Sequence, residues 1–231
     1  MPSIAEQAAA LQERTVAVRR DLHRHPEIAF EEHRTMGVVA RRLRELGLEP
    51  RVGVGRTGVV ALLDTGRPGP TVLARADIDA LPVPEEKQVD YRSTVAGKMH
   101  ACGHDGHTAV LLSVAEVLVS RRAQLAGRVL FVFQPAEEIV RGARAMLDDG
   151  ALEGLTVDHV LGLHLSSSEP VGTVSVAEGP VMAATDSFRL LVRGRGGHAA
   201  YPHLCVDPIV AAAQLVTALQ TLVSRETDPL D

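Results

Sequence analysis

Residues 129–138 read VLFVFQPAEE: five apolar residues in a row, a proline turn, then two glutamates. An unbroken apolar run of that length is the pattern of a strand covered on both faces, as in a parallel sheet packed between helices. Segments of the same kind flank it. Residues 58–63 and 71–74 are short β runs divided by the turn-forming stretch Asp64-Thr65-Gly66-Arg67-Pro68-Gly69-Pro70, and residues 157–165 supply another. Between them the periodicity becomes helical. Ser3 and Glu6 fit a capping box ahead of a helix over residues 4–22, with Ile4, Leu11, Val18 and Leu22 on one face. A second helix carries Met36, Val39, Leu43 and Leu46 and stops at Gly47. A third, over residues 108–120, turns Leu111, Val114 and Leu118 inward, and a short one over 141–149 ends at Gly150. Strands alternating with helices predict an α/β domain whose mostly parallel sheet lies between helices.

Near Gly179-Pro180 the pattern changes. Phe188, Leu190 and Val192 alternate with Arg189 and Arg193, as in a half-exposed strand; Asp207-Pro208 then reads as an N-cap and first helical position, followed by a stripe of Ile209, Ala212, Val216, Leu219 and Val223. A boundary is expected near residues 180–184, giving units 1–181 and 182–231, the second a small α+β piece with one strand and one helix.

Composition narrows the function classes. The net charge of −5 comes without any basic block, which excludes a phosphate-tracking nucleic-acid surface. No stretch reaches the roughly eighteen apolar residues that a membrane span needs. The first residues lack the apolar centre of a secretory signal, and Cys102 and Cys205 are the only cysteines, so the cytoplasm is the expected compartment.

Ligand-type side chains recur where strands end or helices begin. Asp77 and Asp79 follow residues 71–74; Cys102, His104, Asp105 and His107 precede a helix; Glu137 and Glu138 follow VLFVF; His164 closes the strand begun near residue 157. Sites of open parallel sheets form outside the carboxyl ends of the strands, so these four segments are expected to converge on one crevice. Cysteine, histidine and glutamate together suit zinc, with manganese or cobalt admitted where carboxylates and nitrogens dominate. Adjacent glutamates leaving a strand point in different directions. One can ligate while the other acts as general base on a water acidified by the metal. Plainer readings hold elsewhere: His23 and His25 as a helix-ending turn, His100 and His107 as supporting or loop residues, Cys205 as an ordinary small side chain, His33 and His159 as surface.

Six motifs, HRHPEIAFEEHRT, ARADIDALPV, MHACGHDGHTA, FVFQPAEE, LGLHL and GRGGHAAYPH, run in this order from His23 to His203. Together they resemble a di-metal amidohydrolase and peptidase family that contains aminoacylases and carboxypeptidase G, and most closely its hippurate-hydrolase and auxin-conjugate-hydrolase branch. The resemblance implies a phosphorylase/hydrolase-like catalytic domain, with residues 182–231 beginning a lid and dimerisation domain. It implies two divalent ions, zinc or manganese, held by Cys102, His104, Glu138 and His164. Glu137 becomes the general base, Asp77 a carboxylate that supports the metal site, and His198 a lid histidine that stabilises the tetrahedral oxyanion. The implied substrate is an N-acyl amino acid, hippurate-like or N-acetyl, and the implied assembly a homodimer through the lid.

One departure accompanies the match. The family supplies a last histidine ligand near its C terminus, whereas no histidine follows His203 here, so the sequence is expected to be a piece of a longer product. The competing expectations are a metallo-exopeptidase or dipeptidase of the same family, and an inactive metal-binding fragment.

Overall fold

The computed structural model describes residues 2–179, 181 and 187–226. Two compact units divide it, Met1–Val171 and Gly172–Asp231. The boundary expected at residues 180–184 lies almost wholly outside the described residues.

The first unit is α/β. Helix α1 (Ile4–Arg24) opens on the expected capping box, with Ser3 Oγ accepting from Glu6 N and the Glu6 carboxylate accepting from Ser3 N. Helix α2 (His33–Glu45) follows, then strands β1 (Arg51–Val54), β2 (Gly58–Asp64) and β3 (Thr71–Asp77). Helix α3 (His104–Ser120), strand β4 (Arg128–Gln134), helix α4 (Gly142–Asp148) and strand β5 (His159–Gly162) complete it. The sheet order is β1-β2-β4-β3-β5. β4 and β5 flank β3 in parallel, while β1 and β2 run antiparallel to their neighbours. The sheet is therefore mixed, and its three parallel strands all end on the same side.

The VLFVF run divides as its period-2 geometry requires. Phe131 and Phe133 join Val59, Ala61 and Leu63 of β2 beneath Val39 and Leu43 of α2 and Leu111, Leu112 and Ala115 of α3. Leu130 and Val132 point the other way, onto Val60, Met146 of α4 and Ala151. Each large side chain buried in this way contributes about 1.5–3 kcal/mol of transfer free energy, before conformational entropy is counted against it. Both faces of β4 are thus closed, and the turn that follows it starts from an immobile strand end.

Two elements depart from the expected bounds. β3 runs on to Asp77, its ladder with β4 continuing to Gln134; Arg75 and Asp77, on one face, pair there (Arg75 Nη1 to Asp77 Oδ2, 2.7 Å). Helix α3 begins four residues before position 108: Gly103, at φ 92°, turns the chain into it, and a left-handed glycine is not an N-cap that a hydropathy pattern announces.

In the second unit, α5 (Pro208–Leu219) starts as expected, with Asp207 accepting from Ile209 N and Val210 N. The strand expected over 188–193 has no strand partner among the described residues; the pairing there is a single bridge, Arg195 to Val206. A lone strand leaves its backbone donors and acceptors to solvent, and no ladder defines it. Among the described residues no helix is long and apolar enough to cross a membrane.

Candidate metal centre

The ends of β3, β4 and β5 and the first turn of α3 bring six of the seven predicted residues into the first unit. Cys102, His104 and His164 form one group whose ligand atoms all lie within 4.8 Å of one another; His104, Glu137 and Glu138 form a second; Asp77, His104 and His107 a third. His104 belongs to all three. It is fully buried, and its Nδ1–H donates to Asp79 O at 2.9 Å, with Asp79 Oδ1 at 3.2 Å. In the neutral ring that puts the proton on Nδ1 and leaves Nε2 as the acceptor. Nε2 has no hydrogen-bond partner, and neither has the buried Glu138 Oε1, 3.8 Å away. Two buried, unbonded polar atoms this close together are what a cation would satisfy.

His164 is prepared in the same way. Its Nδ1 donates to Leu165 O at 2.7 Å, so Nε2 faces the Cys102 sulfur at 3.4 Å. His107 is not available as a ligand. Leu165 N donates to its Nε2 at 2.9 Å, which puts the proton on Nδ1, and Nδ1–H donates to Asp77 Oδ1 at 2.5 Å. His107 thus ties the Asp77 carboxylate to the chain beside His164.

The local field is strongly negative. Burial, reinforced by Glu138, Glu137 and Asp77, pushes the Cys102 thiol up to about 12. Burial, with Asp79 and Glu137 as like charges, also raises Glu138. Burial works against a charged His104, but Asp79, Asp77 and Glu138 outweigh it and raise its pKa. Asp77 moves down: burial opposes its charge, but the His107 hydrogen bond and the charges of His104 and Arg75 hold it at about 2. A site that resists ionising its own thiol and carboxylate fits a donor set meant for a divalent cation.

The two glutamates do not diverge as adjacent residues leaving a pleated strand would. Ala136, at φ 49°, ends the strand geometry, and both carboxylates reach to 3.8 Å from His104 Nε2. Exposure separates them: the Glu137 side chain is 41% exposed and that of Glu138 is 18%. Asp79, whose sequence position marked it as ligand-type without giving it a role, anchors both sides of the site, because its Oδ2 also accepts from Glu138 N at 2.9 Å.

Histidines read as structural are also placed. His23 is buried at the end of α1, its Nδ1 2.8 Å from Asp105 Oδ2 and its Nε2 3.0 Å from Glu85 Oε1. His25 Nδ1 is 2.7 Å from Asp21 O. His100 is buried with neither ring nitrogen bonded, and burial lowers it to about 4, so it is neutral. The Asp105 hydrogen bond, assisted by Glu85, raises His23 against the cost of burial. The groups around its ring are Asp105, Glu85, Tyr91 and His100, with Arg19 on the far side of Asp105. A histidine whose folded pKa is raised contributes stability that is complete below its unfolded pKa of about 6.5 and is lost as pH rises through the folded value. His23→Gln is therefore expected to lower stability at pH 6 and to flatten the decline between neutral and alkaline pH. Parallel urea titrations of both proteins check this, and identical pH slopes would refute it.

His198 lies in the second unit and is exposed. Ala200 N donates to its Nδ1 at 3.1 Å, and Tyr201 packs 5.4 Å from its ring.

The model of peptidase family M20/M25/M40 matches residues 73–229. The N-acetylcysteine deacetylase of Bacillus subtilis (strain 168) is 45% identical over 225 residues, 96% of this chain and 58% of that protein. The IAA-amino acid hydrolase ILR1-like 2 of Arabidopsis thaliana is 45% identical over 216 residues, 94% of this chain and 48% of its own. Among solved structures, the YXEP protein of Bacillus subtilis, described as a dinuclear metal binding peptidase from the M20 family, matches with a TM-score of 0.70. Its identity is 46%, over 74% of this chain and 48% of that one. The chain spans about half the length of these relatives.

Proposed function

The chain belongs to peptidase family M20/M25/M40, and from that premise we propose that it serves metal-dependent hydrolysis of the amide bond of N-acyl amino acids, hippurate-like or N-acetyl. The observation that carries this reading is the bare, buried Nε2 of His104 facing Glu137 and Glu138 at 3.8 Å each. In it, Cys102, His104, Glu138 and His164 hold two divalent ions, zinc or manganese with cobalt admitted, and Asp77 braces the set through His107. Metal ions bound there would polarise the amide carbonyl and acidify the attacking water. Glu137, the more exposed glutamate, accepts the proton of that water on its carboxylate and delivers it to the departing nitrogen. Because Ala200 N occupies Nδ1 of His198, Nε2 of that ring carries the hydrogen and can donate to a developing oxyanion, a contribution of about 3–4 kcal/mol where such donors have been removed. The second unit is the lid and homodimer-forming part in this reading. With both cysteines free, the cytoplasm is the compartment we infer.

A second reading, a metallo-exopeptidase or dipeptidase, draws on the likeness to a solved peptidase. Release of benzoate or acetate from N-acyl amino acids with added zinc or manganese, run beside a dipeptide panel, separates the two. Preferential cleavage of the N-acyl substrates is expected. Preference for dipeptides would transfer the assignment to the second reading, and bound metal without turnover on either panel would leave an inert metal-binding chain.

A further inference from the structure

Behind the turn that presents Glu137 and Glu138 lies a buried carboxylate that the reaction does not use. Glu32 has no exposed surface. It occupies the N-cap of α2, yet its side chain caps no amide of that helix. Its two oxygens go instead to distant segments. Oε1 accepts from Ala136 N at 2.9 Å, and Oε2 accepts from the Thr57 hydroxyl at 2.5 Å. Thr57 and Ala136 are themselves fully buried.

Backbone strain gathers at the same point. The described non-glycine residues with positive φ are Phe30 (63°), Arg56 (80°), Ala136 (49°) and Val140 (56°). Phe30 lies two residues before Glu32, Arg56 immediately precedes Thr57, and Ala136 is the bonded partner. Such conformations persist only where surrounding contacts over-determine them. Downstream the turn is tight: Ala136 O accepts from Arg141 N and Gly142 N at 3.2 and 3.1 Å, and a Cβ on Gly142 would lie 1.5 Å from Pro135 O. The turn is thus gripped at Ala136 by Glu32 and at Glu138 by Asp79 Oδ2, with Glu137 between the two grips.

We propose that Glu32 is the positioning residue for the Glu137–Glu138 turn, fixing Ala136 in its left-handed conformation so that both carboxylates meet His104. The proposal rests on the metal-centre reading for its purpose, but not for its test.

Amide hydrogen exchange in the metal-free chain reads the grip directly. Glu32→Ala is expected to accelerate exchange of residues 136–142 by about 10- to 100-fold while β2 and β4 amides keep their protection. Glu32→Gln retains an acceptor for Ala136 N and a donor for Thr57, and is expected to restore most of that protection. Zinc affinity, measured by competition with a chromogenic chelator, should fall about 10- to 100-fold in Glu32→Ala and recover in Glu32→Gln. Uniform acceleration across strands and helices, or unchanged exchange at 136–142, would overturn the proposal, as would no rescue by glutamine. If the wild-type chain takes up no zinc, the metal-centre reading fails, and the exchange data alone decide the role of Glu32. Should Glu32→Ala not fold, Thr57→Val releases the other carboxylate oxygen and is read by the same local exchange.

Discussion

Glu137→Gln is expected to lower turnover of an N-acyl amino acid by about 100- to 10,000-fold while zinc content stays at the wild-type level. The substitution keeps the shape of the side chain and removes the one property a proton acceptor needs. The turn does not depend on that carboxylate, since Val140 N bonds to Glu137 O at 2.7 Å and Glu32 holds Ala136 from behind. Nor is Glu137 the better ligand of the pair: the oxygen that is both buried and unbonded belongs to Glu138. Glu138→Gln should therefore show the opposite pattern, with metal lost first and activity lost as a consequence. Steady-state kinetics beside metal analysis on both variants distinguishes the roles. Turnover retained in Glu137→Gln, at full metal content, would remove it as the base.

The fold that brings these side chains together was only partly readable in the sequence. VLFVF announced a strand closed on both faces, and Phe131 and Leu130 do pack into opposite cores, because alternation is intrinsic to the strand. The directions of β1 and β2 were not readable, since hydropathy does not record which way a strand runs. The first turn of α3 was hidden for a different reason. His104, Asp105, Gly106 and His107 are buried, but polar and glycine residues resemble a loop until their partners are known. Those partners come from elsewhere in the chain: Asp79 for His104, Asp77 for His107, and His23 for Asp105. Glu31 and Glu32 make the same point. Adjacent and identical, one pairs with Lys98 Nζ at 2.9 Å on the surface and the other is sealed against Thr57 and Ala136. Residue type suggested which side chains could hold a metal; only tertiary contacts separate those left free to do so from those already occupied.

His104→Ala is expected to abolish stoichiometric zinc binding, the largest effect of any single change at the centre. Each of the three candidate groups includes His104, so its loss reduces each to two members. A single Nε2 lone pair serves one ion, yet the remaining pairs (Cys102 with His164, Glu137 with Glu138, Asp77 with His107) fall short of the three protein ligands that a catalytic zinc site keeps beside its water. The third pair is weaker still, because both His107 nitrogens are already engaged. Asp79→Asn provides the graded comparison. It leaves His104 in place but weakens the group that orients the ring and bonds Glu138 N, and should cost about 10- to 100-fold in affinity. Zinc should raise the melting temperature of the wild-type chain, since binding to the folded state alone stabilises it. That shift should shrink in Asp79→Asn and vanish in His104→Ala. Wild-type zinc content in a folded His104→Ala protein would place the metal away from these residues and dissolve the assignment of Cys102, Glu138 and His164 with it.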